Sequence, residues 1–239
     1  MTKRKNILSI NADAKTVKGK NIGIITAILY LKSYITDGVN LCPMAAIAKC
    51  HHPCLESAGR GKFQNVQDAR LAKTRRFIHD RENFMLDLEY SIRALIRKAA
   101  REGLTPLVRL NGTSDIAWEN IIIKKYNCTI FELFPEVQFY DYTKIPTRKN
   151  IPKNYDLTFS YSGVSTYQKA IQKAKQNKNL NRIAVVFSHK ERIPKTFQGL
   201  PVVSGDDTDV RHLDGKGVVV SLFAKGKAKK DTSGFVVQV

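Results

Sequence analysis

The sequence lacks any long apolar run. None of its apolar segments approaches the roughly 20 residues that a membrane-spanning helix needs. Its basic start, Met1–Asn6, is without the apolar stretch and small-residue cleavage site of a secretory signal. We therefore expect an intracellular protein that does not cross a membrane.

Acidic residues are also few, with 21 Asp and Glu against 40 Lys and Arg, which gives a net charge of +19 and a pI near 9.8. A field of that sign attracts nucleic acid, anionic cofactors or acidic partners. Solubility alone would also account for it. The basic residues concentrate locally at 3–5, 144–153 and 225–230, none of which is long enough for a disordered polybasic arm.

Cysteine is scarce as well, with four residues in 239. Intracellular thiols stay reduced, so these cysteines indicate metal binding, catalysis or packing rather than disulfides. Cys42, Cys50 and Cys54 follow a C-x7-C-x3-C spacing in a segment rich in turn-forming residues, 36–62. Thiolates bind soft metals, and three in one irregular loop can converge on one centre. The spacing therefore predicts a metal site.

Two metals compete for this loop, and plain packing of small apolar thiols is the third alternative. Structural zinc takes four ligands and would have to recruit His51, His52 or Cys128. A [4Fe–4S] cluster can be held by three thiolates with one iron left open, as in radical S-adenosylmethionine enzymes. Their C-x3-C-x2-C spacing differs from this one. We expect the cluster on Cys42, Cys50 and Cys54, with S-adenosylmethionine as a lesser prediction, and Cys128 as a core thiol.

Short apolar runs separated by helical stretches predict a parallel α/β sheet. Six continuous runs indicate strands buried on both faces: Leu107–Leu110, Val137–Tyr140, Leu157–Phe159, Ile183–Phe187, Pro201–Val203 and Val218–Phe223. Long helices are expected over Asn65–Phe77 and Arg81–Arg101 in the N-terminal part, and shorter ones over Ile116–Tyr126 and Thr166–Gln176. We expect one α/β domain, 1–239.

Polar residues follow nearly every predicted strand, and carboxyl-terminal strand ends form the functional face of parallel α/β folds. This regularity favours an incomplete (β/α) TIM-like barrel over an open doubly wound sheet. The catalytic candidates are Arg109, Asn111, Asp115, Asp141, Tyr142 and Lys144. The candidates for binding a cofactor or anion are Arg60, in the loop Ala58–Lys62, together with Asp206 and Lys225. Each of these taken alone is more often a structural hydrogen-bonding residue.

Several longer motifs resemble the gene product 88 domain, a family of uncharacterised bacteriophage proteins. They are Asn40-Leu41-Cys42-Pro43, Cys50, Cys54-Leu55, Ala58-Gly59-Arg60-Gly61, Val108–Ile116, Phe134-Pro135, Val137–Lys144, Leu157–Ser160 and Ala224–Ala228. The resemblance runs from about Leu8 to Val237. It implies a phage origin, a single domain and the cytoplasm of an infected cell, and it implies no reaction. Ala45–Lys49 departs from the Ala-Ser-x-Gly that is usual there.

The leading hypothesis is a phage-encoded iron–sulfur protein, a redox or radical-type enzyme acting on an anionic ligand. The alternative is a basic nucleic-acid-binding module with a structural metal, either zinc or iron–sulfur, in which Phe139, Tyr140 and Tyr142 would stack on bases. A third alternative is an interaction protein that modifies a host machine. The expected partner is thus an anionic small molecule or nucleic acid, and oligomeric state is not predicted.

Overall fold

A nine-stranded sheet forms the centre of the protein in the computed structural model, which describes residues 3–10, 14–54, 56 and 58–239. The strands, in chain order, are β1 Ser9–Ile10, β2 Ile24–Ile28, β3 Ile35–Thr36, β4 Val39–Asn40, β5 Thr105–Arg109, β6 Ile122–Ile123, β7 Cys128–Thr129, β8 Gln138–Thr143, β9 Tyr155–Ser160, β10 Arg182–Phe187, β11 Thr196–Phe197, β12 Leu200–Ser204 and β13 Val219–Phe223. Two hairpins, β3–β4 and β6–β7, lie outside the main sheet.

The main sheet has the order β1-β2-β5-β8-β9-β10-β13-β12-β11. Every pair of neighbours from β2 to β12 is parallel, whereas β1 and β11 are antiparallel edge strands. The six strands predicted from continuous apolar runs are all present as β5, β8, β9, β10, β12 and β13. The mixed α/β class with a mostly parallel sheet is confirmed.

The expected incomplete TIM-like barrel is wrong, because the sheet is open. Its two edges are the antiparallel strands β1 and β11. Within the described residues β1 pairs only with β2 and β11 only with β12, so the two edges do not meet. A barrel also needs a helix after each strand to form the outer ring, but the connection 144–154 between β8 and β9 contains none. Polar strand ends are common to open and closed parallel sheets, so that regularity could not distinguish them.

Five α-helices accompany the sheet: α1 Ala14–Lys18, α2 Gln64–His79, α3 Arg81–Glu102, α4 Ile130–Leu133 and α5 Gln168–Gln176. The two long N-terminal helices are therefore confirmed. Buried residues of α3 such as Phe84 and Leu88 pack in one core with Val108 and Phe139 of the sheet. The helix expected over Ile116–Tyr126 is wrong: a 3₁₀ turn, Trp118–Asn120, and the β6–β7 hairpin occupy the region.

The two faces of the sheet differ in what covers them. One face carries α2, α3 and α5 over two large apolar clusters. The opposite face has a small cluster in which Val210, from the segment after β12, packs on Ile24, Leu107 and Tyr140. Among the described residues, no helix has the length and apolar character to cross a bilayer.

Candidate functional site

The cysteine loop folds as a series of turns against the carboxyl ends of β5 and β9. The amide of Asp115 donates to the carbonyl of Leu41 at 2.8 Å, and the Ser162 hydroxyl donates to the carbonyl of Ala48 at 2.7 Å. Between these anchors Lys49 takes a left-handed φ of 51°, which reverses the chain just before Cys50. Both anchors follow strands of the sheet, so the loop is held at the predicted functional edge.

Cys42, Cys50 and Cys54, which we call the thiol site, lie within electrostatic range of one another. All three thiols are reduced and half-buried. Desolvation, together with smaller effects of charge on Asp115, Cys54 and Cys50, raises the pKa of the Cys42 thiol to about 12. Desolvation likewise raises the pKa of Cys50 and of Cys54. Because each charge acts on its neighbours, ionising all three thiols requires a cation that stabilises them together.

Lys144 places one such cation beside the thiol site. Its ammonium group donates to the Ser160 carbonyl at 2.9 Å, the Ser160 hydroxyl at 3.1 Å and the Tyr161 carbonyl at 3.3 Å. It also lies 4.8 Å from the centre of the Phe235 ring. Desolvation lowers the pKa of Lys144, and charge on Cys50, Asp115, Cys54 and Cys42 opposes that shift. The three thiols and Lys144 thus share one electrostatic environment.

Asp115 connects the thiol site to an ion pair that sequence reasoning missed. One oxygen of Asp115 accepts from the Lys144 amide at 2.8 Å, and the other lies 3.4 Å from Arg148. Arg148 in turn binds both oxygens of Glu119, at 2.7 and 2.5 Å. Arg148 and Glu119 lie 29 residues apart with no motif around either, so no sequence signal announced the pair.

Arg109 lies in a separate buried network on the opposite face of the sheet. Its guanidinium is 3.0 Å from Asp209 and 3.6 Å from Asp141, with its side chain 12% exposed. Tyr140 donates its hydroxyl to Asp209 at 2.8 Å, and Tyr142 does so at 3.4 Å. We call these five residues the arginine network. Asp209 was also missed, because only the fold brings it to Arg109.

Two other catalytic candidates are fully engaged in holding the backbone. The Asn111 amide oxygen accepts from Ser114, the Ile116 amide and the Trp118 indole at 2.9–3.0 Å. Asp141 is completely buried and accepts from the Leu110 and Asn111 amides and from the Tyr155 hydroxyl. Burial raises the pKa of Asp141 to about 7, although Arg109 opposes the shift. Both side chains fix the end of β5.

The anion-binding candidates divide between two places. Arg60 is exposed on the 3₁₀ turn Gly59–Lys62, and Lys225 is exposed directly after β13. Their segments meet, because the Cα of Gly226 lies so close to Ala58 that a side chain there would contact it at 3.2 Å. Asp206 follows β12, and β9, β10 and β13 separate that strand from β8. Arg60 and Lys225 are thus neighbours, and Asp206 is not placed with Lys144.

The cysteines and the histidines beside them do not form a preformed metal-ion site. Across the described part of the chain, no three His, Cys, Asp or Glu side chains are grouped so that they could hold a metal ion. His51 instead faces the Ala45 carbonyl at 3.1 Å and stacks on Tyr34.

Cys128 is not a fourth member of the thiol site. It lies half-buried in the β6–β7 hairpin, and desolvation and the charge of Glu132 raise its pKa. The thiols of Cys42, Cys50 and Cys54 are not among the groups that act on it. Cys128 is thus less buried than the expected core thiol, but it lies apart from the other three cysteines, as expected.

Comparison with known proteins gives one match. The family model described as Gene product 88 matches residues 2–239. No curated protein and no solved structure matches this chain.

Proposed function

The chain belongs to the gene product 88 family, and we propose that it is an iron–sulfur protein with a [4Fe–4S] cluster on Cys42, Cys50 and Cys54. One observation carries the proposal: three half-buried thiols share a single electrostatic site with the ammonium group of Lys144. Soft thiolates in that number and setting are the ligands such clusters take. The site lies at the edge of the sheet where parallel α/β proteins carry their chemistry.

The charge of Lys144 favours a thiol site that holds a cluster. Within the described residues, the Lys144 ammonium group donates to neutral oxygens, and Asp115 beside it is already shared with Arg148. A cation in a poorly solvated site is unfavourable without a nearby anion. Three thiolates on a doubly positive four-iron core leave one net negative charge, which Lys144 offsets. Cluster binding therefore gives Lys144 the counter-charge that neutral thiols cannot supply.

Three thiols leave one corner of the cluster without a protein sulfur. Such a cluster supplies electron transfer or activation of a ligand at its open iron. We infer a redox or radical-type enzyme acting on an anionic ligand in the cytoplasm of the infected cell, with S-adenosylmethionine as the lesser alternative. Arg60 and Lys225, which are exposed in adjoining segments, supply positive charge to attract that ligand.

Anaerobic purification with metal analysis and an absorption spectrum tests the proposal. We expect a brown protein with about four irons and labile sulfides per chain. Cys50→Ser should lose nearly all of the iron, because two thiolates cannot hold the cluster. Cys128→Ser is the matched control and should keep it. A colourless wild type with one zinc per chain, or equal iron in the two variants, would refute the cluster.

A nucleic-acid-binding module is the second candidate, and the exposed lysines of the turn Gly226–Lys230 favour it. The aromatic part of that hypothesis has less support, since Phe139 and Tyr140 are completely buried and Tyr142 is bound to Asp209. Affinity for single-stranded DNA that falls steeply between low and moderate salt would support it. Absence of binding at low salt would exclude it.

A further inference from the structure

A pocket of about 400 Å³ opens beside the thiol site, and none of its lining residues belongs to the predicted sites. Ser188 and His189, which directly follow β10, form one wall, and Ala224, directly after β13, forms another. Its volume falls within the range of pockets that bind small molecules, about 300–1,000 Å³. We call it the edge pocket, because it lies at the carboxyl ends of parallel strands.

The edge pocket carries a net positive charge. Lys229 and Lys230 line it, and neither forms an ion pair within the part of the chain that the structure describes. The Lys229 ammonium group lies 5.7 Å from the centre of the Phe223 ring. Asp231 is the carboxylate of the lining, and it accepts from the Ser233 and Val236 amides and the Ser233 hydroxyl. Two positive charges therefore face one negative charge in the lining, which favours an anion.

An apolar wall joins the edge pocket to the thiol site. Ala224, Ala228 and Val236 line the pocket and belong to a small apolar cluster against which Cys50 packs. A ligand in the pocket would therefore be separated from Cys50 by small side chains only. These three side chains are themselves buried, so they close the floor of the pocket, and the accessible part of its lining is polar, with Ser188, His189, Thr232 and Gln238 beside the lysines.

We propose that the edge pocket binds a small phosphate-bearing molecule, through Lys229 and Lys230 at the phosphate and the polar lining of the pocket at the rest of the molecule. Two lysines set on one short turn match the charge of a phosphate group. As a binding site the pocket stands independently of the cluster. As the place where the substrate of the enzyme lies, it rests on the proposed iron–sulfur function.

Calorimetric titration of the full-length, anaerobically purified chain tests this, with adenosine monophosphate and inorganic phosphate as probes. We expect the nucleotide to bind more tightly than phosphate, because only the nucleotide is large enough to contact Ser188, His189 and Gln238 of the lining as well as the lysines. Replacing both lysines, Lys229→Ala with Lys230→Ala, should weaken its binding about tenfold or more, since two charge-assisted hydrogen bonds are lost. Thr232→Trp, at the pocket rim, should weaken it as well without changing charge.

The matched control is the pair Lys169→Ala with Lys173→Ala on α5, which removes the same charge from exposed positions elsewhere. It should leave the affinity within about twofold, because long-range attraction alone is weak at physiological salt. Equal weakening in the control, no effect of Thr232→Trp, or binding of a single-stranded oligonucleotide but not of the nucleotide would overturn the proposal. Iron analysis of the same samples separates the two claims, since nucleotide binding to iron-free protein supports the pocket alone.

Discussion

Two cations lie in poorly solvated surroundings at the carboxyl ends of neighbouring strands, and they are balanced differently. Arg109, at the end of β5, is 3.0 Å from Asp209 and 3.6 Å from Asp141. Lys144, after β8, donates to one hydroxyl and two carbonyls and has the three thiols around it. Arg109 thus has two carboxylates of its own, whereas Lys144 has thiols that are neutral until they lose their protons and Asp115, which is shared with Arg148.

From this difference we expect the arginine network to have a structural role and the thiol site to have a chemical one. The arginine network is neutralised by its own carboxylates, so we expect it to stabilise the fold over β5 and β8. The thiol site reaches charge balance only when the thiols lose their protons, which metal binding brings about. Variants of the arginine network should therefore change stability and leave iron unchanged, and replacement of the three thiols should do the reverse.

The largest expected effect on stability is that of Asp209→Ala. It leaves Arg109 with Asp141 alone and removes the acceptor of the Tyr140 hydroxyl. Removing one partner of a buried ion pair costs about 3 kcal/mol in free energy of unfolding. Urea denaturation should show this loss with iron per chain unchanged. Asp207→Ala, at an exposed position nearby, is the control and should cost less than about 0.5 kcal/mol in free energy of unfolding. Similar costs for the two variants would contradict a structural role of the arginine network.

Lys144→Met should lower the reduction potential of the cluster. Reduction adds a negative charge, and a unit positive charge at roughly 7 Å in an effective dielectric of about 20 stabilises it by about 2 kcal/mol. That corresponds to a fall on the order of 100 mV for a one-electron couple. A potentiometric titration followed by paramagnetic resonance measures it.

Lys149→Met, in the same connection but exposed, is the control and should shift the potential far less. Iron content should stay at the wild-type level in both variants. An unchanged potential in Lys144→Met would mean that the ammonium group does not act on the cluster, and the contrast between Lys144 and Arg109 would fail.

The smallest expected effect is a pH dependence within the arginine network. The pKa of Asp141 is raised to about 7 in the folded chain, against about 3.9 when unfolded. Between these values the folded state binds more protons than the unfolded state, so the stabilisation is complete below pH 4 and is lost as the pH rises to 7. Asp141→Ala should therefore cost about 1–2 kcal/mol more at pH 6 than at pH 8. Equal costs from urea denaturation at the two pH values would show that Asp141 does not titrate in this range.

Much of the sheet could be predicted from the sequence because its strands are buried on both faces. Continuous apolar runs marked β8, β9 and β10, and the polar residues after them marked the edge where the thiol site lies. The apolar residues of Ile116–Tyr126 are spaced as in a helix, and this local pattern led to the wrong prediction. Tertiary packing overrides it and forms the β6–β7 hairpin.

The sequence alone could not predict which residues far apart in the chain form ion pairs. Arg109 and Asp209 lie 100 residues apart, and only the approach of the segment after β12 to β5 makes them a pair. The sequence also could not show whether the sheet closes into a barrel, because strand number and polar strand ends do not specify how the edge strands β1 and β11 pair. The three thiols were predictable since they lie in one local segment, whereas the position of Lys144 beside them depends on the whole sheet.

Mössbauer spectroscopy of protein grown with ⁵⁷Fe tests the central claim most directly, because it distinguishes the individual irons that the proposed cluster would hold. Cys42, Cys50 and Cys54 supply three sulfurs, and Cys128 lies in a separate hairpin. The account predicts a [4Fe–4S] spectrum in which one iron differs from the others and responds to an added anionic ligand. Iron absent from the protein, or four equivalent irons indifferent to ligand, would contradict it.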